Sequence, residues 1–352
     1  LLFDNKIKAL HSKVMRLLQD HWDEDVGKTV VVRCNYDVDV EDGKVLDTTR
    51  VEDSLETIRA LLERGCKLVL MAHLGRPDGE AKAEFSLAPV HALLGDLIGE
   101  PISFVNELNV ELVKNAVTRI VMLENLRFWA EEEANDDQFA RTLASMGDFY
   151  VNEAFANCHR AHASIVGIPK YLPHTAGLHL SREYEILTKV RQDPAKPLVV
   201  VIGGSKVETK APLVDAFRDI ADLILVGGKI ATEISDEHKA MPNLIIADLV
   251  ESGKDITEAS ARMFAEKIME AKSVIWNGTM GVFEDEEYRT GTRIVAEAVN
   301  TTIAFTVVGG GDTEAALTVL DMEDGIDHIS TGGGAMLDYL CDGSLVGFDA
   351  LA

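Results

Sequence analysis

Two glycine triplets near the carboxyl end, Gly309–Gly311 and Gly332–Gly334, constrain this chain more than any other feature. Each follows a short β-branched run that reads as a buried parallel strand, Thr306–Val308 before the first and Ile329–Ser330 before the second. Asp312 and Thr313 come directly after the first triplet, ahead of a helical run carried by Ala315, Leu317 and Leu320. Glycines between a strand and a helix leave backbone N–H groups aimed at an anion, with the helix dipole behind them. A carboxylate and a hydroxyl beside that anion are hard-oxygen ligands of the kind Mg²⁺ takes. One glycine-rich loop is most often only a tight turn. Two, on what read as adjacent strands, point to a polyphosphate site.

With 352 residues the chain is long enough for two domains, each with its own core. Its 47% hydrophobic and 26% charged residues are those of a globular protein. No apolar run reaches the roughly 18 residues of a membrane span and no signal-peptide pattern opens the chain, so a cytoplasmic protein without a membrane partner is expected. A formal charge of -25 argues against nucleic acid or an anionic membrane as partner. It also makes any local cluster of arginine and histidine stand out. Cys34, Cys66, Cys158 and Cys341 show no metal-ligand spacing and read as free thiols.

Residues 1–26 carry a helical pattern (Ile7, Leu10, Val14, Leu17, Leu18). Gly27-Lys28-Thr29 resembles the end of a phosphate loop, but Trp22 stands where the upstream glycine is needed and a strand follows instead of a helix. That strand, Thr29–Arg33, ends in Arg33-Cys34-Asn35-Tyr36-Asp37, and Arg50 then precedes a helix built on Leu55, Ile58, Leu61 and Leu62 and closed by Gly65. The same unit of strand followed by polar cluster repeats. Lys67–Met71 leads to His73, Gly75 and Arg76, Ile120–Leu123 to Glu124-Asn125-Leu126-Arg127, and Phe149–Val151 to Asn152-Glu153 and then His159-Arg160-Ala161-His162. Strands alternating with helices imply an α/β, doubly wound parallel sheet that binds ligands beyond the carboxyl ends of its strands. Arg33, Arg50, His73, Arg76, Arg127, His159 and Arg160 all fall there, where guanidinium forks suit a small, highly anionic substrate.

Residues 174–197 read as a helical connector (Leu180, Tyr184, Leu187), after which a second αβ series begins. Leu198–Ile202 leads into Gly203-Gly204-Ser205-Lys206, Leu223–Val226 into Gly227-Gly228-Lys229, and Val274–Trp276 into Asn277-Gly278-Thr279 and on to Glu284. Lys206 and Lys210 lie four apart, so a helix starting near Ser205 would set both on one face. Leu337 to Ala352 show no clear periodicity and are expected to pack back along the protein.

In this order the pieces closely resemble the phosphoglycerate kinases: AHLGRP, LENLRF, HRAH, GGSKVETK, WNGTMGVFE, VVGGGDT and STGGGA occur in the family's order over most of the chain. The resemblance implies two Rossmann-like domains joined by a helical hinge: 1–173 for 3-phosphoglycerate or 1,3-bisphosphoglycerate, 174–197 as connector, 198–335 for the nucleotide, and 336–352 as a tail. It implies an Mg²⁺-dependent phosphotransferase that uses ATP or ADP and acts as a monomer. By position, Arg33, Asn35, Asp37, Arg50, His73, Gly75, Arg76, Arg127, His159 and Arg160 would hold the triose acid. Gly204, Ser205, Lys206, Lys210, Gly228, Asn277, Glu284, Gly310, Gly311, Asp312 and Thr313 would hold the nucleotide, with Asp312 on the metal. Arg50, Lys206, Gly311 and Gly334 would act on the phosphoryl group in transfer.

The sequence departs from the family pattern in named places. The usual Arg-x-Asp-x-Asn-x-Pro is here Arg33-Cys34-Asn35-Tyr36-Asp37-Val38-Asp39, so acid and amide have exchanged places and the proline is absent. Asn-Asp-Ala-Phe-Gly-Thr is replaced by Asn152-Glu153-Ala154-Phe155-Ala156-Asn157, and Asn-Gly-Pro by Asn277-Gly278-Thr279. The stretch between Gly228 and Trp276 is shorter than in relatives, where it supplies one wall of the adenine pocket. These departures leave two alternatives to set beside the kinase: an acyl-phosphate kinase for another small anionic acid, and a ligand-binding paralogue without turnover.

Overall fold

The computed structural model describes residues 15–20 and 25–352. The helical pattern expected over residues 1–26 falls largely outside them. Within the described part, Leu18–Asp20 form a single 3₁₀ turn and Leu17 bridges to Ala176.

The chain divides into two compact units, one holding the chain up to Tyr184 together with Ser344–Ala352, the other Glu185–Gly343. In the first unit β1 (Thr29–Arg33), a hairpin of β2 (Val40–Glu41) and β3 (Lys44–Val45), β4 (Lys67–Met71), β5 (Ile102–Val105), β6 (Ile120–Leu123), β7 (Phe149–Asn152) and β8 (His174–Ala176) follow in sequence. Six of these make one parallel sheet in the order β5-β6-β4-β1-β7-β8, while the hairpin stands apart. β1, β4, β6 and β7 are buried almost throughout, which is why they are continuous apolar runs with no alternation. The helix Leu55–Glu63 lays Ile58, Leu61 and Leu62 on this sheet and ends at Gly65, whose φ is +80°.

The second unit contains β9 (Leu198–Ile202), β10 (Leu223–Val226), β11 (Leu244–Ile246), β12 (Ser273–Asn277), β13 (Phe305–Gly309) and β14 (His328–Ser330), parallel in the order β11-β10-β9-β12-β13-β14. Counted within the unit this is the 3-2-1-4-5-6 order of a dinucleotide-binding sheet, with its switch point between β9 and β12. Val199, Val201, Trp276, Val308 and Phe264 belong to its core. The fold is therefore the doubly wound α/β architecture expected, twice over. In the first unit the corresponding switch point lies between β1 and β7.

Residues 174–176, read as the start of the connector, form the edge strand β8, and the helix itself runs Leu178–Gln192. Leu337–Asp342, read as the head of an aperiodic tail, belong to the helix Gly334–Asp342 of the second unit. The last residues then return to the first unit, where Phe348 stacks on Phe155 and meets the edge of Tyr184. No helix among the described residues is long and apolar enough to cross a membrane.

Candidate functional site

In the first unit the cations gather where β1, β4, β6 and β7 end. Arg33, the last residue of β1, is completely buried. Its Nε donates to Ser164 Oγ at 2.8 Å, one Nη donates to the Cys34 carbonyl, and the other reaches His73 Nδ1 at 3.2 Å. His73 Nε2 is 3.7 Å from Asp37 Oδ2, and Asp37 Oδ1 accepts the Gly75 N–H at 2.8 Å. The carbonyl of Asp37 accepts from Arg50. Arg127, 4% exposed, donates to the Gly75 carbonyl at 2.8 Å and faces Glu133 at 3.2 Å. Asp37 therefore joins Gly75, His73 and Arg50, and Asn35 is buried two residues before it.

The electrostatics confirm one cluster. Burial, then Arg33, Arg127, His162 and Arg160, hold His73 far below its ordinary pKa. His162 is pushed down to about 3 by burial and by Arg127, Arg33, Arg160 and His159. Arg127, too, is lowered, by burial first. His73 and His162 are thus neutral at pH 7, and the standing charge of this edge comes from its arginines. That changes the sequence-based picture, in which histidines and arginines counted alike as cations. Arg160 and His159 are half-buried beside the cluster, while Arg76 is exposed on the turn after β4.

Sequence reasoning missed the counter-charge. Glu132 is fully buried, and its two oxygens accept the Ser164 N–H at 2.9 Å and the Ser164 O–H at 2.5 Å. It sits in the run Glu131-Glu132-Glu133, which reads as solvated surface, and no spacing marks the middle residue as different.

In the second unit, four loops meet beyond the ends of β9, β10, β12 and β13. Gly203 N–H donates to the Asn277 carbonyl at 2.9 Å and Gly204 N–H to the Thr279 carbonyl at 2.7 Å. The backbone of Gly278 lies so close to that of Gly203 that no Cβ fits between them, and its φ is +98°. Asn277 Nδ2 donates to the Gly309 carbonyl at 2.7 Å, and Gly278 N–H donates to Thr313 Oγ1 at 2.8 Å. Thr313 is fully buried, so its hydroxyl ties two loops together. Thr292, which had no sequence signal, does the same for the next turn by accepting from Met280 and Gly281 N–H. Gly310, with φ +101°, caps the helix Gly311–Leu320 and opens its N-terminus. Met336 packs against Gly309, which links the second triplet's helix to the first triplet.

The lysines differ from expectation. The helix begins at Val207, not Ser205, so Lys206 is its N-cap and exposed, while Lys210 lies within the helix and is more enclosed. Lys210 is lowered to about 8 by burial, with Asp312 acting against the shift and Lys206 with it. Lys206, Lys210 and Asp312 are therefore electrostatic neighbours. Ser205 is exposed beside Lys206, Gly228 packs on Gly204, and Gly334 opens its own helix after Gly333. Glu284 is exposed farther along the loop from β12. Asn277 Oδ1 is buried without a hydrogen-bond partner. An unpaired amide oxygen and one carboxylate at a helix N-terminus suit Mg²⁺ carried on a polyphosphate, which needs only one or two protein oxygens. No cluster of three metal-ligating side chains occurs among the described residues, as that mode of binding requires none.

The phosphoglycerate kinase family model matches residues 23–241 and 233–342. The two pieces meet inside the stretch that the sequence marks as short. A phosphoglycerate kinase of Dictyoglomus turgidum is 35% identical, over 92% of this chain and 96% of its own. One from Thermosipho africanus is 36% identical, over 93% and 95%. Among solved structures, phosphoglycerate kinase from Coxiella burnetii superposes with a TM-score of 0.82 at 31% identity, over 92% of this chain and 96% of that one. The enzyme from Pyrococcus horikoshii gives 0.83 at 28%, over 96% and 98%.

Proposed function

The chain belongs to the phosphoglycerate kinase family, and from that premise we propose how its residues divide the work. The reaction is reversible phosphoryl transfer between 1,3-bisphosphoglycerate and ADP, giving 3-phosphoglycerate and ATP. The observation that carries the assignment of roles is that each unit has its own kind of edge: buried guanidinium groups in the first, and close-packed glycine loops with two lysines in the second.

The acceptor is a carboxylate, already ionised at neutral pH, so no general base is needed and catalysis rests on positioning and charge neutralisation. Arg50, Arg76, Arg127, His159 and Arg160 bind the triose acid and its phosphate, and His73 offers a neutral N–H donor. Arg33 and Asp37 orient this set from beneath and Asn35 supports it. Ser205, Gly228 and Gly310 offer backbone to the nucleotide phosphates, while Gly204, its N–H held by the Thr279 carbonyl, shapes the turn beneath them. Lys210 adds charge, Asn277 offers its unpaired Oδ1, and Glu284 accepts from the nucleotide's hydroxyls. Thr313 holds the loops in register. Asp312 would hold Mg²⁺, which when bound supplies positive charge to the phosphate oxygens. Lys206, Arg50 and the N–H groups of Gly311 and Gly334 neutralise the moving phosphoryl group. Direct transfer requires both substrates to meet in one place, consistent with a hinge along Leu178–Gln192. The reading includes action as a cytoplasmic monomer.

A coupled assay with 3-phosphoglycerate and Mg-ATP tests the proposal. Turnover well above background is expected. Absence of turnover with ATP, GTP, or ADP plus the acyl phosphate would overturn it in favour of a binding protein.

A further inference from the structure

Beneath the cationic edge of the first unit runs a continuous buried chain of hydrogen bonds. Glu132 accepts both polar hydrogens of Ser164, Ser164 Oγ accepts from Arg33 Nε, and Arg33 Nη donates to His73 Nδ1. Glu132, Ser164 and Arg33 are fully buried and His73 is 1% exposed, so their direct hydrogen bonds to one another orient them. Only at Asp37, whose side chain is 42% exposed, does the chain reach the surface.

The donor and acceptor roles along this chain are fixed by chemistry. A guanidinium has only donors, so His73 Nδ1 must accept and the imidazole proton must sit on Nε2. Ser164 has one hydroxyl proton. It accepts from Arg33, and the proton goes to Glu132, whose two oxygens both accept. Burial raises the Glu132 pKa, while Arg33, the two Ser164 hydrogen bonds and Arg127 oppose that rise and favour the carboxylate. A fully buried guanidinium needs a counter-charge, and Glu132 supplies it through a single hydroxyl. The 3.7 Å between His73 Nε2 and Asp37 Oδ2 is long for a hydrogen bond, so the Nε2 proton is directed at the rim without being consumed there.

We propose that Glu132 is a positioning residue for the acidic substrate: acting through Ser164 and Arg33, it holds His73 as the Nε2–H tautomer, a neutral donor aimed beside Asp37 at an oxygen of the triose acid. This rests on the assignment of that edge to phosphoglycerate. The neutrality of His73 accords with it, since burial and four nearby cationic or imidazole groups oppose a second proton. A neutral N–H offers directional recognition of an oxygen, whereas the arginines supply charge.

The test reads the tautomer directly and independently of turnover. In the purified wild-type protein at pH 7, ¹⁵N-resolved imidazole spectra, with His73 assigned by its loss in His73→Gln, should show a protonated Nε2 and an unprotonated Nδ1. A proton on Nδ1, or an imidazolium, overturns the proposal with no variant needed. In Glu132→Gln and Ser164→Ala the pattern should move toward exchange between tautomers, and KM for 3-phosphoglycerate should rise roughly ten-fold, the scale of one hydrogen bond to a charged group. KM for Mg-ATP should stay within about two-fold. Glu131→Gln, exposed on the four-residue helix Ala130–Glu133 that also carries Glu132, should change none of these. If both buried variants fold and keep the wild-type tautomer and substrate KM, Glu132 is only core. An unchanged tautomer pattern in a wild-type protein without kinase turnover would instead count against the substrate assignment alone.

Discussion

Lys210 shows how one side chain's surroundings set a pH dependence. Its pKa of about 8 lies below that of an ordinary lysine because burial penalises the charged form more than Asp312 restores it. A polyphosphate needs the charged form. Below about pH 8 Lys210 carries its proton in the free protein, and above it the proton must be taken up on binding. Mg-ADP affinity should therefore fall as pH rises from 7.5 to 9.5, and Lys210→Arg, which stays charged throughout, should flatten that slope. Calorimetric titration across this range checks it, and a wild-type slope identical to that of Lys210→Arg would refute the role. Lys206 and Arg50 belong to a different kind of test. Both are proposed to meet the phosphoryl group in flight, so Lys206→Ala and Arg50→Ala should each lower kcat by on the order of 10²–10³ with smaller changes in KM. Near-normal kcat in Lys206→Ala would remove it from the catalytic set. Of the residue-level picture, the sequence showed where Arg33, Asp37 and His73 lie along the chain. It did not show that Arg33 is spent on Ser164, 131 positions away, because nothing local encodes a contact of that range.

At the scale of elements, the edge proposed for the nucleotide is a set of loops that approach closely because Gly203, Gly228 and Gly278 lack side chains. Gly278→Ala would force a Cβ onto the Gly203 carbonyl at a φ of +98° that alanine resists. The loops after β9 and β12 would then separate. Mg-ADP binding should weaken at least about ten-fold by calorimetry, with the first unit's 3-phosphoglycerate binding unchanged. Equal affinity in the variant would show that the cradle tolerates opening. The segment between Gly228 and Trp276 makes the complementary point. It holds only the four-residue helices Ile230–Glu233 and Asp236–Lys239 before β11. A base gains affinity from apolar enclosure, and losing one wall costs on the order of 1–2 kcal/mol. Mg-ADP and Mg-GDP should thus bind within a few-fold of each other and only modestly better than Mg-tripolyphosphate. Strong rejection of GDP would show that another segment has rebuilt the wall.

For the molecule as a whole, net charge matters more than any pair. At -25 the folded chain repels itself, and ions screen that repulsion over about 10 Å at 0.1 M salt and about 3 Å at 1 M. Thermal melting followed from 0.05 to about 1 M KCl should rise by at least a few degrees, since 1 kcal/mol moves Tm by about 2–4 °C in units of this size. A flat or falling Tm would mean that the surface pairs, such as Arg262 with Glu258 and Arg293 with Glu297, already balance the excess.

What the sequence determined by itself was whatever is written in local periods and punctuation. Lys67–Met71, Ile120–Leu123, Leu198–Ile202 and Leu223–Val226 are strands to the residue, because beyond the exposed first residue Lys67 both faces are covered and the side chains are all apolar. The glycines after Leu198–Ile202 and Leu223–Val226 marked the close-packed turns that follow those two strands. The edge strands Ile102–Val105 and His174–Ala176 escaped, the first because it is short and mostly half-buried, the second because its three residues are too few to show a pattern and include a histidine and a threonine. Tertiary structure alone decided the strand order, which differs between the two sheets although their local patterns look alike. It decided that Lys206 caps its helix while Lys210 is enclosed within it. It also decided which of three consecutive glutamates is buried under the arginines. Those outcomes depend on which distant segments pack together, and the cost of burying a charge falls on whichever side chain that packing encloses.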